Sequence, residues 1–354
     1  MDLLGRRKMM IAAEPVTYYH VCDGTVDTAL NTGIYPVSKD YPYGFTIDTV
    51  FDNSVDTSTD QYRGIVAFEN YDSPYPGMTF RRTQDSLTSV YCDFGHSGDH
   101  VSIQGDLVPQ RNHAIFEYDR VDGLVNLSLN DATTSGYYRC VNIKAPMVLG
   151  GEIDYDYDGF ADDRCAAVAF RSFSFTPKDS TSHPYARYTD ENNVIHIENV
   201  LTQGTQATAL DTGICLFDGS YPNGFELEAE IIVLDVTNNT QNTFLSCKAE
   251  GMSGYPGFSL RHLSNTTTNL EVSFKPNFNS NPGPKAAAGM NTLKITYTGS
   301  SATLVFDGQT YTGSGTVATH SYPLVIGGTQ SSPGQWMSGR FGSCLVRSLT
   351  IKKL

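Results

Sequence analysis

The sequence predicts an all-β protein built as two tandem antiparallel β-sandwich (jelly-roll) domains, and three observations carry that prediction. A chain of 354 residues is long for one sandwich and ample for two of about 170. β-Branched and aromatic residues are frequent, 32 Gly and 16 Pro punctuate the chain, and no helical stripe runs through it. Sequence blocks also recur at a constant spacing of 180 residues.

The blocks fall in one register. Ala29-Leu30-Asn31-Thr32-Gly33-Ile34 matches Ala209-Leu210-Asp211-Thr212-Gly213-Ile214, and Tyr41-Pro42-Tyr43-Gly44-Phe45 matches Tyr221-Pro222-Asn223-Gly224-Phe225. Ser73-Pro74-Tyr75-Pro76-Gly77 matches Ser253-Gly254-Tyr255-Pro256-Gly257, with Arg81 on Arg261. Farther on the spacing shortens by three or four residues: Met147-Val148-Leu149-Gly150-Gly151 pairs with Leu324-Val325-Ile326-Gly327-Gly328, and Arg171-Ser172-Phe173-Ser174-Phe175 with Arg347-Ser348-Leu349-Thr350-Ile351. The copies end alike, so the chain divides into an arm (1–15), a first sandwich (16–176), a linker rich in Pro, Ser, Asp and Asn (177–193) and a second sandwich (194–354).

In order along the chain, the arm comes first. Arg6, Arg7 and Lys8 precede an apolar run, 9–13, that is too short for a signal peptide, so a protein working outside the producing cell is expected to leave by lysis or a dedicated route. Strands follow wherever apolar residues alternate, as in Phe45-Thr46-Ile47-Asp48-Thr49-Val50-Phe51, Leu227-Glu228-Ala229-Glu230-Ile231 and Leu293-Lys294-Ile295-Thr296-Tyr297. Asp307-Gly308 after Leu304-Val305-Phe306 predicts a tight hairpin, and Tyr41-Pro42 and Tyr221-Pro222 read as structural turns.

Net charge is −14, which argues against nucleic acid and anionic membrane surfaces as partners. The first copy carries most of it: residues 1–176 hold 25 acidic and 13 basic residues. No run reaches the roughly 18 apolar residues of a membrane span. The seven cysteines show no metal-like spacing, and Cys215 and Cys247 face Tyr35 and Ala67 in the other copy, so reduced, mostly buried thiols are expected. His96, His100 and His113 lie in one stretch without a ligand pattern and read as solvated loop residues.

Asp154, Asp156 and Asp158 before Gly159, with Asp162 beyond, give alternate oxygens and a sharp turn, the pattern of a calcium loop in the first domain; Cys165 stands where such a loop places its bidentate Glu. A solvated acidic loop is the alternative. Trp336 is either a sugar platform or a cap on the sandwich end.

The order of these pieces, "ALNTGIYPV" and "ALDTGICLF", the strand after "YPYGF" or "YPNGF", "LVFDGQTY", "LVIGG" and "FGSCLVRSLTI", resembles the concanavalin A-like lectin and glucanase superfamily, in particular its laminin-G-like members. With the leader "GRRKMM" the chain also looks like minor structural proteins of bacteriophage virions. The first resemblance implies a glycan-binding sandwich, or a hydrolase with an E-x-D-x-x-E strand; Glu152-Ile153-Asp154-Tyr155-Asp156-Tyr157 approaches that motif but lacks its second Glu. The expected function is therefore a non-enzymatic virion structural or decoration protein. It would be assembled in a host cytoplasm and be capable of forming homo-oligomers. Arg6, Arg7 and Lys8 would dock on other virion proteins, and the sandwiches would engage cell-surface polysaccharide. An adhesin proper and a glycoside hydrolase are the alternatives.

Overall fold

The structure is a computed structural model. It describes residues 16–53, 63–69, 77–83, 89–96, 99–108, 111–138, 145–153, 164–181, 183–235, 242–262, 269–275, 282–285 and 290–354. The chain divides into two compact units, Met1–Ser180 and Thr181–Leu354. Both are built of antiparallel sheets, and the one helical element among the described residues is a single 3-10 turn, Val26–Thr28. No described helix is long and apolar enough to cross a membrane.

In the first unit the strands are β1 (Val16–Asp23), β2 (Leu30–Asn31), β3 (Gly44–Asn53), β4 (Arg63–Glu69), β5 (Gly77–Arg82), β6 (Ser89–His96), β7 (Asp99–Asp106), β8 (Arg111–Asp119), β9 (Leu124–Leu129), β10 (Ala132–Tyr137), β11 (Val148–Leu149) and β12 (Ala167–Pro177). They form two six-stranded sheets, β1-β12-β3-β8-β9-β10 and β2-β11-β4-β5-β6-β7. Phe45, Phe51, Phe68, Phe94, Phe170, Phe173 and Phe175 fill the space between them, fully buried. Each alternates along its strand with residues of the opposite face, as a half-buried strand requires.

The second unit contains β13 (Ala186–Thr189), β14 (Ile195–Gln203), β15 (Leu210–Asp211), β16 (Phe225–Asp235), β17 (Thr243–Lys248), β18 (Gly257–His262), β19 (Asn269–Lys275), β20 (Pro282–Lys285), β21 (Met290–Tyr297), β22 (Ser301–Phe306), β23 (Gln309–Ser314), β24 (Val325–Ile326), β25 (Gln330–Ser332), β26 (Gln335–Trp336) and β27 (Ser343–Lys353). Its sheets, β13-β14-β27-β16-β21-β22-β23 and β15-β24-β17-β18-β19-β20, repeat the order of the first unit with one added edge strand and a small β25-β26 hairpin.

The recurrent motifs have local causes. Asn31 Oδ1 accepts from Gly33 N–H at 2.9 Å, and Asp211 Oδ1 accepts from Gly213 N–H at 2.8 Å, so each "TGI" begins with an Asx turn. The hydroxyls of Thr32 and Thr212 then donate at 2.7 Å to the carbonyls of Met147 and Leu324, which ties the turn to the segment entering β11 or β24. Asp307 and Gly308 adopt φ +45° and +78° between the paired residues Phe306 and Gln309, the two-residue hairpin that their chemistry predicts. Tyr41 packs edge-on against Phe175 and Tyr221 against Phe225.

Three expectations change. The stretch 177–193 is not a bare linker: β13 pairs with β14, the Tyr188 ring stacks on His196 at 4.6 Å, and Tyr188 Oη donates to Glu198 at 2.9 Å. Its Arg-Tyr-Thr composition is polar because an edge strand meets solvent. The three histidines lie in strands rather than loops: His96 and His100 fall on β6 and β7, and His113, on β8, reaches Asp48 at 2.8 Å. Cys247 stands opposite Phe68, not Ala67, because β24 pairs Val325 with Ser246 as β11 pairs Val148 with Ala67. The local spacing here is 179 on both sides of a bulge that the two copies share, between Gly64 and Val66 and between Thr243 and Leu245, so the offset enters before the strand begins. The described cysteines are all free thiols, with Cys22, Cys92, Cys165, Cys247 and Cys344 buried.

Candidate functional site

The face of interest is the outer side of the sheet containing β17, β18 and β19 in the second unit. Leu245, Cys247, Phe258, Leu260, Leu270, Val272 and Phe274 point into the core, so the alternating residues point away from it. These are three polar cross-strand rows: Ser246, Ser259 and Ser273; Arg261 and Glu271; and Lys248, Gly257 and Lys275. The serine row is buried, with Ser259 and Ser273 hydroxyls 3.0 Å apart. Arg261 grips Glu271 through Nη2 at 3.0 and 3.1 Å to its two carboxylate oxygens.

Lys248 is the unusual member. Its side chain is 4 % exposed, and burial pulls its ammonium below the ordinary lysine range although Glu250, 3.1 Å away, pulls it back up. The same Glu250 Oε1 also receives Arg340 Nη1 at 3.5 Å. From Lys248 the chain enters a compact loop, 249–256, closed by Ala249 N–H to Pro256 O at 2.8 Å and by Met252 and Tyr255 N–H bonds at 3.1 Å. This loop forces Tyr255 to φ +51°, a conformation costly for an aromatic residue, and leaves the residue 47 % exposed. The ammonium groups of Lys248 and Lys275 lie 5.5 and 5.7 Å from that ring's centroid.

In the first unit the same framework carries opposite charge. Glu69 occupies the place of Lys248, next to Thr79, whose hydroxyl donates to Glu69 Oε2 at 2.7 Å. Glu152, 3 % exposed, receives Arg164 Nη1 at 2.9 Å and lies 3.8 Å from Arg81 Nη1. Burial pushes the Glu69 carboxyl up, Glu152 adds to the rise, and Thr79, Arg81 and Arg164 oppose it. Ile153, Ala67 and Val148 form a small apolar cluster beside this network.

Among the residues singled out from sequence, Trp336 sits on β26, half-buried, with its ring 5.9 Å from that of Phe341; a Cβ at Gly328 would come within 3.0 Å of it. Asp154, Asp156, Asp158 and Asp162, and Arg6, Arg7 and Lys8, lie outside the described residues. Lys248, Lys275 and the exposure of Tyr255 were not anticipated. The repeated Tyr-Pro-Gly was visible, but the one-residue change of spacing at β17 hid the exchange of Glu69 for Lys248.

Comparison with solved structures returns distant likenesses. Domains LG4-5 of the mouse laminin α1 chain align at 11 % identity over 96 % of this chain and 90 % of that one, with a TM-score of 0.31. The CBM40 of the Ruminococcus gnavus IT-sialidase, bound to α2,3-sialyllactose, aligns at 10 % over 46 % of this chain and 91 % of that one, TM-score 0.36. A carbohydrate esterase of the Shiga toxin-encoding bacteriophage phi24B aligns at 14 % over 48 % and 86 %, TM-score 0.30. No family model and no curated protein matches the sequence. Likeness at this level carries no information about function.

Proposed function

We propose that the chain is a non-enzymatic component of a bacteriophage virion whose tandem lectin-like sandwiches bind glycans. The observation that carries the binding reading is Tyr255, an exposed aromatic residue held in a strained conformation with the ammonium groups of Lys248 and Lys275 beside its ring. A hydrolase needs two carboxylates open to a glycosidic bond. The neighbouring carboxylates of the first unit, Glu69 and Glu152, do not meet that need, since Glu152 is buried and bound by Arg164. On this reading residues 1–15, with Arg6, Arg7 and Lys8, dock on other virion proteins, copies of the chain associate, and assembly in the host cytoplasm precedes release by lysis. Calcium binding by Asp154, Asp156, Asp158 and Asp162 belongs to the same proposal and rests on their spacing alone.

The test is a glycan array probed with the full chain with and without calcium, beside the double variant Asp156→Ala, Asp158→Ala, together with a reducing-sugar assay on a polysaccharide panel. Glycan retention without sugar release supports the proposal, and loss of retention in the variant assigns calcium a part in it. Sugar release would replace it with a hydrolase, and an empty array would remove the glycan-binding half.

A further inference from the structure

We propose that the Tyr255 face of the second domain selects acidic saccharides, sugars bearing a carboxylate or a sulfate ester, over neutral ones; this rests on the glycan-binding reading and names its ligand class. The charge arrangement is the first ground. Lys248 and Lys275 stand on either side of Gly257, about 10 Å apart at the backbone, and both ammonium groups gather at one phenol ring. Like charges repel, so a ring face alone is a weak reason for two lysines to converge there. The counter-charges are already committed: Glu250 is shared between Lys248 and Arg340, and Glu271 is held by both oxygens on Arg261. Among the described residues Lys275 has no ion pair. Among the described residues, four cations thus face two carboxylates on a protein whose net charge is −14.

Rigidity is the second ground. The loop 249–256 is closed by its own backbone hydrogen bonds, and its anchor Lys248 is buried, so neither the ring nor that ammonium must be ordered when a ligand arrives. An anion placed beside the Tyr255 hydroxyl and the Lys275 ammonium would accept charge-assisted hydrogen bonds there, while the buried Lys248, held by Glu250, adds its positive field. The third ground is the repeat itself. The first domain keeps the arginines at the equivalent positions, Arg81 and Arg164, but has Glu69 where the second has Lys248. One scaffold therefore presents a carboxylate in one copy and an ammonium in the other, so the selectivity belongs to the second copy.

The experiment is isothermal titration of the full chain with tetragalacturonate, sulfated maltotetraose and unmodified maltotetraose, repeated with Lys275→Gln, Tyr255→Gly and Glu69→Gln. Glycine accepts the positive φ at 255, so that variant retains the loop, and melting curves check folding of each. The expected result is binding of one or both acidic probes that weakens about tenfold in Lys275→Gln and Tyr255→Gly, is unchanged in Glu69→Gln, and falls with added salt. Whichever acidic probe binds identifies the anionic group. Equal binding of maltotetraose, or acidic-probe binding indifferent to both second-domain variants, overturns the selectivity or its location while leaving glycan binding intact. Failure of all three probes, together with an empty glycan array, overturns both; failure of the acidic probes with a positive array of neutral glycans overturns this inference alone.

Discussion

Glu69 and Lys248 occupy the same position of the same strand in the two copies, each beside a residue of the neighbouring strand that also corresponds, Gly77 and Gly257. Duplicated domains tolerate divergence on solvated faces, but these side chains are largely withdrawn from water and must be matched by their surroundings. Glu69 has Thr79 as a donor and Arg81 and Arg164 nearby, while Lys248 has Glu250. Neither partner set serves the other charge. Lys248→Glu is therefore expected to destabilise the second domain by about 3 kcal/mol, by setting a carboxylate against Glu250 without an added cation, whereas Lys248→Met costs about 1 kcal/mol or less because Arg340 still meets Glu250. Urea denaturation followed by near-UV circular dichroism distinguishes the two.

The raised Glu69 carboxyl fixes the sign of a pH effect. The folded domain holds this proton more tightly than the unfolded chain does, so stability is fully present while the group is protonated and declines as pH rises through its folded value. Glu69→Gln retains an oxygen for the Thr79 hydroxyl and has no charge to desolvate. Its melting midpoint should exceed that of the parent at pH 7 and converge with it near pH 3. A lower midpoint at pH 7 would mean that Arg81 and Arg164 stabilise the carboxylate more than burial penalises it.

How far the sequence discloses this arrangement depends on the range of the interactions involved. The Asx turns at Asn31 and Asp211 and the Asp307-Gly308 hairpin are local chemistry, legible from a few neighbouring residues. The alternation in β3, β16 and β21 was legible for the same reason. The register of β17 was not, because it is set by pairing with β24, about eighty residues away, and the spacing between the copies is 179 along this strand, one less than in β16 and β18. At a spacing of 180, Lys248 falls opposite Phe68 and the charge exchange disappears from view. β13 escaped for another reason: as a polar edge strand it has no apolar alternation to announce it, and only its contacts with His196 and Glu198 reveal it.

His320 gives the second domain an acid-sensitive point. The ring lies 5.1 Å from that of Phe217 and is 6 % exposed; Nδ1 accepts from Tyr322 N–H at 3.3 Å, which leaves the proton on Nε2, where it finds no partner. Burial lowers its pKa to about 4 despite the opposing pull of Asp218. Between the ordinary value of 6.5 and about 4 the unfolded chain takes up a proton that the folded domain refuses, so stability falls as pH falls across that window and the slope ends below it. His320→Asn keeps an acceptor for Tyr322 and cannot titrate. Its midpoint should be lower at pH 7, through lost stacking, but should decline less between pH 6.5 and 4 than the parent's. Parallel profiles would exclude His320 as the source.

Two glycines separate backbone conformation from steric approach. Gly213 and Gly327 have similar dihedrals, φ +67° and +74°, so an alanine at either accepts the same left-handed penalty of about 1–2 kcal/mol. Their surroundings differ. Nothing lies within 4 Å of a Cβ at 213, but one at 327 would sit 2.5 Å from Thr202 Cβ and Cγ2. Thr202 cannot easily withdraw, since its hydroxyl donates to Gly342 O at 2.8 Å and accepts from Cys344 N–H at 3.1 Å, bonds that align β14 with β27. Gly213→Ala should therefore cost about 1 kcal/mol and Gly327→Ala at least 3 kcal/mol, the excess being the displacement of a hydrogen-bonded strand. Chemical denaturation of the two variants measures the difference directly. Equal losses would show that β14 moves freely enough to absorb the methyl group, and that the repeated Gly-Gly after β11 and β24 is required for its backbone conformation alone.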